Sequence, residues 1–181
     1  MPSNLLGPLI TSKTRLKLLL RFFLNQNLSG YLQGLSKELD ENTNSVRVEL
    51  NRLEEAGMLE TELEGRRKVY RVNKNHPLTS DITSIIRKVT GIQDLVERIV
   101  NRIGVDLKQV WISGRLASGL ESDELEVLLV GEGLDVAYIA ELMIKVEEKL
   151  KKKISYGTSS KLSSFQKENS LLVWQNESSD N

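Results

Sequence analysis

After Gly57 the spacing of apolar residues changes from a period near 3.6 to a period of two, and that change most narrows what the chain can fold into. Before it, Leu16, Leu19, Leu20 and Phe23 recur at helical spacing behind Thr11-Ser12, a pair able to cap a helix. Asn25-Gln26-Asn27 and Ser29-Gly30 interrupt the pattern. Residues 31–39 predict a short second helix with Leu32, Leu35 and Leu39 on one face, and Asp40-Glu41-Asn42 a polar turn. A third helix is expected over residues 43–56, burying Val46, Leu50 and Leu53. Gly57 then stands where a left-handed residue commonly ends a helix. Residues 58–62 read as a strand, Glu64-Gly65-Arg66-Arg67 as a hairpin turn, and Lys68-Val69-Tyr70-Arg71-Val72 as the returning strand. Asn73-Lys74-Asn75-His76-Pro77 closes the segment as a linker.

Three short helices followed by a hairpin, within about 65 residues, describe a winged helix-turn-helix. In that architecture the third helix enters the major groove and presents polar side chains from its N-terminal end. Here these are Thr43, Asn44, Ser45, Arg47, Val48, Asn51 and Arg52, of which Arg can fork onto guanine and Asn onto adenine. Arg52 can also reach Glu49 or Glu55 on its own helix. Arg66, Arg67 and Lys68 at the hairpin tip suit the phosphate backbone or the minor groove. The whole chain carries 25 Lys+Arg and 25 Asp+Glu, but residues 11–76 hold 12 basic against 9 acidic side chains, the direction nucleic-acid contact requires.

Residues 9–76 resemble the ArsR-like winged-helix transcription regulators. The resemblance rests on the order of elements, on Leu53-Glu54-Glu55-Ala56-Gly57-Met58-Leu59 closing the third helix, and on Gly65-Arg66-Arg67-Lys68-Val69-Tyr70 in the wing. It implies binding to double-stranded DNA. The metal-sensing members use Cys or His ligands; this chain has no Cys and one His, so no metal site or cofactor is carried over.

The remainder reads as a second domain. Leu78, Ile82, Ile85, Ile86 and Val89 form one helical stripe, and Ile92, Leu95, Val96, Ile99, Val100 and Ile103 continue it beyond Gly91. So many large aliphatics on one face predict a homodimer, which palindromic half-sites also favour. Strands are expected at 109–113, 125–130, 154–158 and 171–174, with a helix over 135–150. The expected organisation is α+β. Residues 1–76 form the winged helix, 77–104 a helical linker or dimerisation segment, 105–175 a small mixed-sheet α/β domain, and 176–181 a disordered tail. No apolar run spans a membrane, and Met1-Pro2-Ser3-Asn4 opens no secretory signal, so a cytoplasmic protein is expected.

Residues 105–174 resemble the minimal nucleotidyltransferase domain of the DNA polymerase beta superfamily, through Gly114-Arg115-Leu116-Ala117-Ser118-Gly119 and then Ser122-Asp123-Glu124-Leu125-Glu126-Val127-Leu128-Leu129-Val130. Active members place Gly-Ser before the loop and two Asp one residue apart on the following strand, to grip Mg²⁺. Here Arg115 replaces the Ser. The acidic pair is Glu124 and Glu126, or Asp123 and Glu126, and no third carboxylate lies on the later strands. The resemblance therefore implies a catalytically inactive relative. Gly114, Arg115, Glu124 and Glu126 would be its vestigial nucleotide or anion site, and Lys151-Lys152-Lys153 is a further basic run. Trp111 and Trp174 are expected in the sheet core.

Together these features predict a sequence-specific DNA-binding transcriptional regulator, homodimeric, whose second domain serves assembly or senses an anionic or nucleotide ligand. Two alternatives stand beside it: a divergent Mg²⁺-dependent nucleotidyltransferase that docks its substrate on the winged helix, and an adaptor that binds protein rather than DNA.

Overall fold

The computed structural model describes residues 6–176. The expected tail therefore lies, except for Asn176, outside the described residues, as does the N-terminal tetrapeptide. The chain forms two compact units, one of residues 1–89 with 119–121 and one of residues 90–118 with 122–181.

In the first unit, helix α1 (Lys13–Phe23) is capped by Ser12, whose side chain accepts from the Arg15 backbone N–H. It is buried more completely than a single apolar stripe predicts: Leu18 and Phe22 lie inside alongside Leu16, Leu20 and Phe23. Truncating a buried Phe of this kind to Ala costs about 3–5 kcal/mol. Strand β1 (Ser29–Tyr31) follows, a segment expected as helix breaker and helix start. It pairs antiparallel with a later strand, Gly30 opposite Tyr70. Gly30 fits there because a β-carbon would come within 2.8 Å of the Leu35 side chain.

Helix α2 (Leu32–Glu38) and helix α3 (Thr43–Glu55) come next. The Asn42 side chain caps α3 by accepting from the backbone N–H groups of Asn44 and Ser45. The other end closes as the sequence predicts. Gly57 takes φ +72°, its N–H bonds to Glu54 O at 2.8 Å, and Met58 N–H bonds to Leu53 O at 2.9 Å, a Schellman closure. The chain is thereby turned into strand β2 (Leu59–Glu64), which pairs antiparallel with strand β3 (Arg67–Val72). Gly65 alone of the two turn residues has positive φ, at +62°, the backbone pattern of a tight II′ hairpin. The sheet order is β1-β3-β2. Helix α4 (Thr79–Thr90) is tied to the end of α1, where the Thr83 hydroxyl donates to Phe23 O at 3.0 Å.

The second unit begins as Gly91, at φ +84°, separates α4 from helix α5 (Ile92–Ile103). A 3-10 turn leads to strand β4 (Leu107–Ser113), helix α6 (Gly114–Ala117), strand β5 (Glu124–Gly131), helix α7 (Val136–Leu150), strand β6 (Lys153–Ser159), helix α8 (Ser164–Glu168) and strand β7 (Leu171–Gln175). The short α6 occupies what the sequence suggested was loop, and α8 had no apolar period to announce it. The sheet order is β6-β5-β4-β7, with β5 parallel to β6 and the other pairs antiparallel.

Alternation along β5 gives the sheet two different faces. Leu125, Val127 and Leu129 are fully buried, and Leu125 approaches Gly91 at the start of α5. The opposite face carries a smaller cluster of Trp111, Val130 and Leu162, with Leu128 and Leu172 against it. The Trp111 indole N–H is satisfied by Gln109 Oε1 at 2.9 Å. Trp174 is only half-buried on β7.

The aliphatic stripe along α4 and α5 is buried only in part: Ile82, Val89, Val96, Val100 and Ile103 are half-buried. Ile86, Ile92, Leu95 and Ile99 are at most 1% exposed, while Leu78 and Ile85 remain 47% and 46% exposed.

Candidate nucleic-acid interface

Helix α3 turns Val46, Leu50 and Leu53 into the core of its unit. The same 3.6-residue period leaves Thr43, Asn44, Ser45, Arg47, Asn51 and Arg52 exposed on the other side. Thr43, Arg47 and Asn51 fall on one stripe, spaced by four. Arg47 Nη1 donates to Asn44 Oδ1 at 3.4 Å, a weak tether that leaves most of the guanidinium fork open. Val48, 44% exposed between them, is an apolar group suited to a thymine methyl.

Arg52 is placed differently. Its Nη1 lies 3.1 Å from Glu49 Oε1, and Glu49 is buried. Glu49 also accepts from Ser12 Oγ at 2.9 Å and from Arg15 Nε at 2.8 Å. Burial pushes the Glu49 carboxyl up, but the bonds from Arg15 and Ser12 outweigh it and hold the group below its ordinary value. Arg52 is thus held into a strut between α3 and α1.

All three basic wing residues are exposed, each in a different setting. Arg66 occupies the turn itself. The Arg67 guanidinium carbon lies 5.6 Å from the centroid of the Tyr31 ring. The Tyr31 hydroxyl in turn donates to Glu64 Oε2 at 2.5 Å, and that bond raises its pKa. Lys68 Nζ lies 2.6 Å from Glu54 Oε2 and 5.3 Å from the Tyr70 ring centroid. The bond lowers the Glu54 pKa and raises that of Lys68, so both stay charged and largely cancel. No local sequence pattern marks Tyr31, because its place beside Arg67 depends on β1 pairing with β3.

In the second unit, β5 begins at Glu124, which resolves the two possible acidic pairs: Glu124 and Glu126 share a face, and Asp123 precedes the strand. That face is opposite Leu125, and so opposite the α5 side of the sheet. Gly114 takes φ +65°, and a β-carbon on it would overlap the Glu126 carboxylate. The carboxylate therefore fills the space beside the loop that the sequence suggested for a phosphate. Arg115 is exposed on α6. Glu124 faces Lys153 across β6, and Glu126 faces Ser155. Among the described residues, no three Asp, Glu or His side chains converge to hold a metal ion. The basic run disperses: Lys151 is the left-handed cap of α7, Lys152 Nζ donates to Ser122 O at 3.3 Å, and Lys153 starts β6. Among the described residues no helix is long and apolar enough to cross a membrane.

No family model matches the chain, and no curated protein matches it. Solved structures resemble it over about half its length. A mutant of the toxin–antitoxin MntA–HpeT is 16% identical, covering 49% of this chain and 76% of that one, with a TM-score of 0.40. Reduced HlyU from Vibrio cholerae is 16% identical over 50% of this chain and 87% of that one, with a TM-score of 0.37. The transcriptional regulator BldR from Sulfolobus solfataricus is 14% identical over 57% of this chain and 72% of that one, with a TM-score of 0.38.

Proposed function

We propose that the protein is a sequence-specific DNA-binding transcriptional regulator, acting as a homodimer, whose second unit is non-catalytic. One observation carries the reading: α3 buries Val46, Leu50 and Leu53 and turns Thr43, Asn44, Ser45, Arg47 and Asn51 outward. A helix of 13 residues is about 20 Å long and fits a major groove about 12 Å wide. The wing, with Arg66 and Arg67 at its tip, supplies backbone contacts beside it. Arg47, Asn51 and Thr43 read bases; Arg52 and Lys68, each held by a carboxylate, contribute less than their exposure suggests.

Selection of the full chain on a random duplex pool, followed by sequencing at two salt concentrations, tests this. An enriched palindrome supports a dimeric sequence-specific regulator. Weak binding that collapses with salt and enriches nothing rejects it, because non-specific contact is almost wholly electrostatic.

A further inference from the structure

A depression of about 450 Å³ lies between α5 and α7 in the second unit. Arg98 and Arg102 project from successive turns of α5, and Tyr138, Glu141 and Lys145 from α7. Its floor is apolar: Leu142 and Val146 are buried. Three cations therefore line the depression against one carboxylate.

No carboxylate among the described residues pairs with them. Among the described residues Arg98, Arg102 and Lys145 make no ion pair and no side-chain hydrogen bond, and Arg98 Nε is buried without an acceptor. A buried donor with no partner is costly, and like charges four apart on a helix repel. The C-terminal end of the α5 dipole favours Arg102, which sits in the last turn. It does not account for Arg98, one turn earlier, or for Lys145 on the other helix. Elsewhere the chain pairs exposed cations readily, as Lys108 with Glu132 and Arg71 with Glu62. The tyrosine hydroxyl stands at the rim, 3.5 Å from Arg102 O, which leaves an aromatic face beside the cations.

We infer that this cleft binds a small phosphate-bearing ligand. The Arg forks grip the phosphate oxygens, Lys145 adds a point charge, and the Tyr138 ring borders whatever the phosphate carries. The site is separate from Gly114, Glu124 and Glu126, because the two acids leave β5 on the face away from α5. The inference goes beyond DNA recognition and does not rest on it.

Isothermal titration of the full chain without DNA tests it, using adenosine 5′-monophosphate, inorganic phosphate and adenosine as probes. Saturable binding of either phosphate probe is expected, with adenosine silent. Arg98→Gln and Lys145→Gln should each weaken it at least tenfold. Glu141→Gln should tighten it severalfold, and this exposed substitution leaves the core unchanged. Tighter binding of the nucleotide than of phosphate supports a ligand whose sugar and base lie against Tyr138; equal binding supports recognition of the phosphate alone. Absence of saturable binding of both phosphate probes at millimolar concentration overturns the inference, as does binding indifferent to all three substitutions. In a separate titration with duplex DNA, binding lost in Arg98→Gln, with no mononucleotide binding in the first, overturns it too, since the cleft would then track a nucleic-acid backbone. Because the first titration contains no DNA, its failure leaves the DNA-binding reading standing, and the converse also holds.

Discussion

Lys68 on the wing places its ammonium 2.6 Å from the Glu54 carboxylate near the end of α3. The two surfaces proposed to meet a phosphate backbone thus carry one internal ion pair between them. Replacing Glu54 with Gln should free that cation, so DNA affinity should rise severalfold and the salt slope should steepen by about one phosphate contact. Lys68→Ala, by the same reasoning, should cost less affinity than Arg66→Ala. Fluorescence anisotropy across a salt series reads both. An unchanged slope in Glu54→Gln would mean that Lys68 never approaches a phosphate.

Arg47 should behave as a base reader. Arg47→Ala is expected to cost about 1–3 kcal/mol and to relax preference at one base position, leaving the rest of the motif intact. The Arg66→Ala, Arg67→Ala pair should weaken all sequences alike and lower the salt slope by about two. Competition binding against single-base variants of the selected site separates the two behaviours. If Arg47→Ala weakens every sequence equally, it is a phosphate contact instead.

Glu49 links the interface to the stability of its unit. Its folded-state pKa is depressed, so the stability it contributes is present above the ordinary carboxylate value and is lost as pH falls through the depressed one. Glu49→Gln should therefore destabilise the protein at neutral pH, by about 1–3 kcal/mol for a buried group losing charge-assisted bonds, and by progressively less as the medium becomes acidic. Urea denaturation at neutral and acidic pH measures the difference. A penalty constant with pH would show that the carboxylate is not ionised in the native state.

How far the sequence was legible follows from how local each signal is. The close of α3 depends on Gly57 and its immediate neighbours, and the wing turn depends on Gly65, so both could be read from order alone. Strand β1 could not, because three residues beginning Ser29-Gly30 acquire a strand identity only from their partner β3. The same holds for the charges. Arg47 and Arg52 look alike on a helical wheel, yet Glu49 is buried beside Arg15 and draws Arg52 toward α1. That depends on residues 34 positions apart. The aliphatic stripe shows the limit of counting, since Ile92, Leu95 and Ile99 are buried inside the chain while Leu78 and Ile85 are not. The cleft between α5 and α7 was invisible for a similar reason: Arg98 and Lys145 stand 47 positions apart in the sequence, on different helices.

Gly114 and Glu126 offer a test of the second unit that needs neither DNA nor ligand. Gly114→Ala faces two obstacles, a positive φ that costs an L-residue about 1–2 kcal/mol and a β-carbon that overlaps the Glu126 carboxylate. It should be strongly destabilising. Adding Glu126→Ala should relieve the overlap but not the backbone strain, so the double variant should recover part of the loss. Glu126→Ala alone should be far milder. If Glu126 were instead a working Mg²⁺ ligand, Mg²⁺ with a nucleoside triphosphate would stabilise the native chain but not Glu126→Ala. The expected result is no such difference between the two, because the carboxylate is packed against the Gly114 backbone and β6 and β7 bring no third carboxylate to complete a metal site. Thermal denaturation with and without Mg²⁺ and the triphosphate decides between them. A selective loss of stabilisation in Glu126→Ala would return the unit to the nucleotidyltransferases and overturn its non-catalytic assignment.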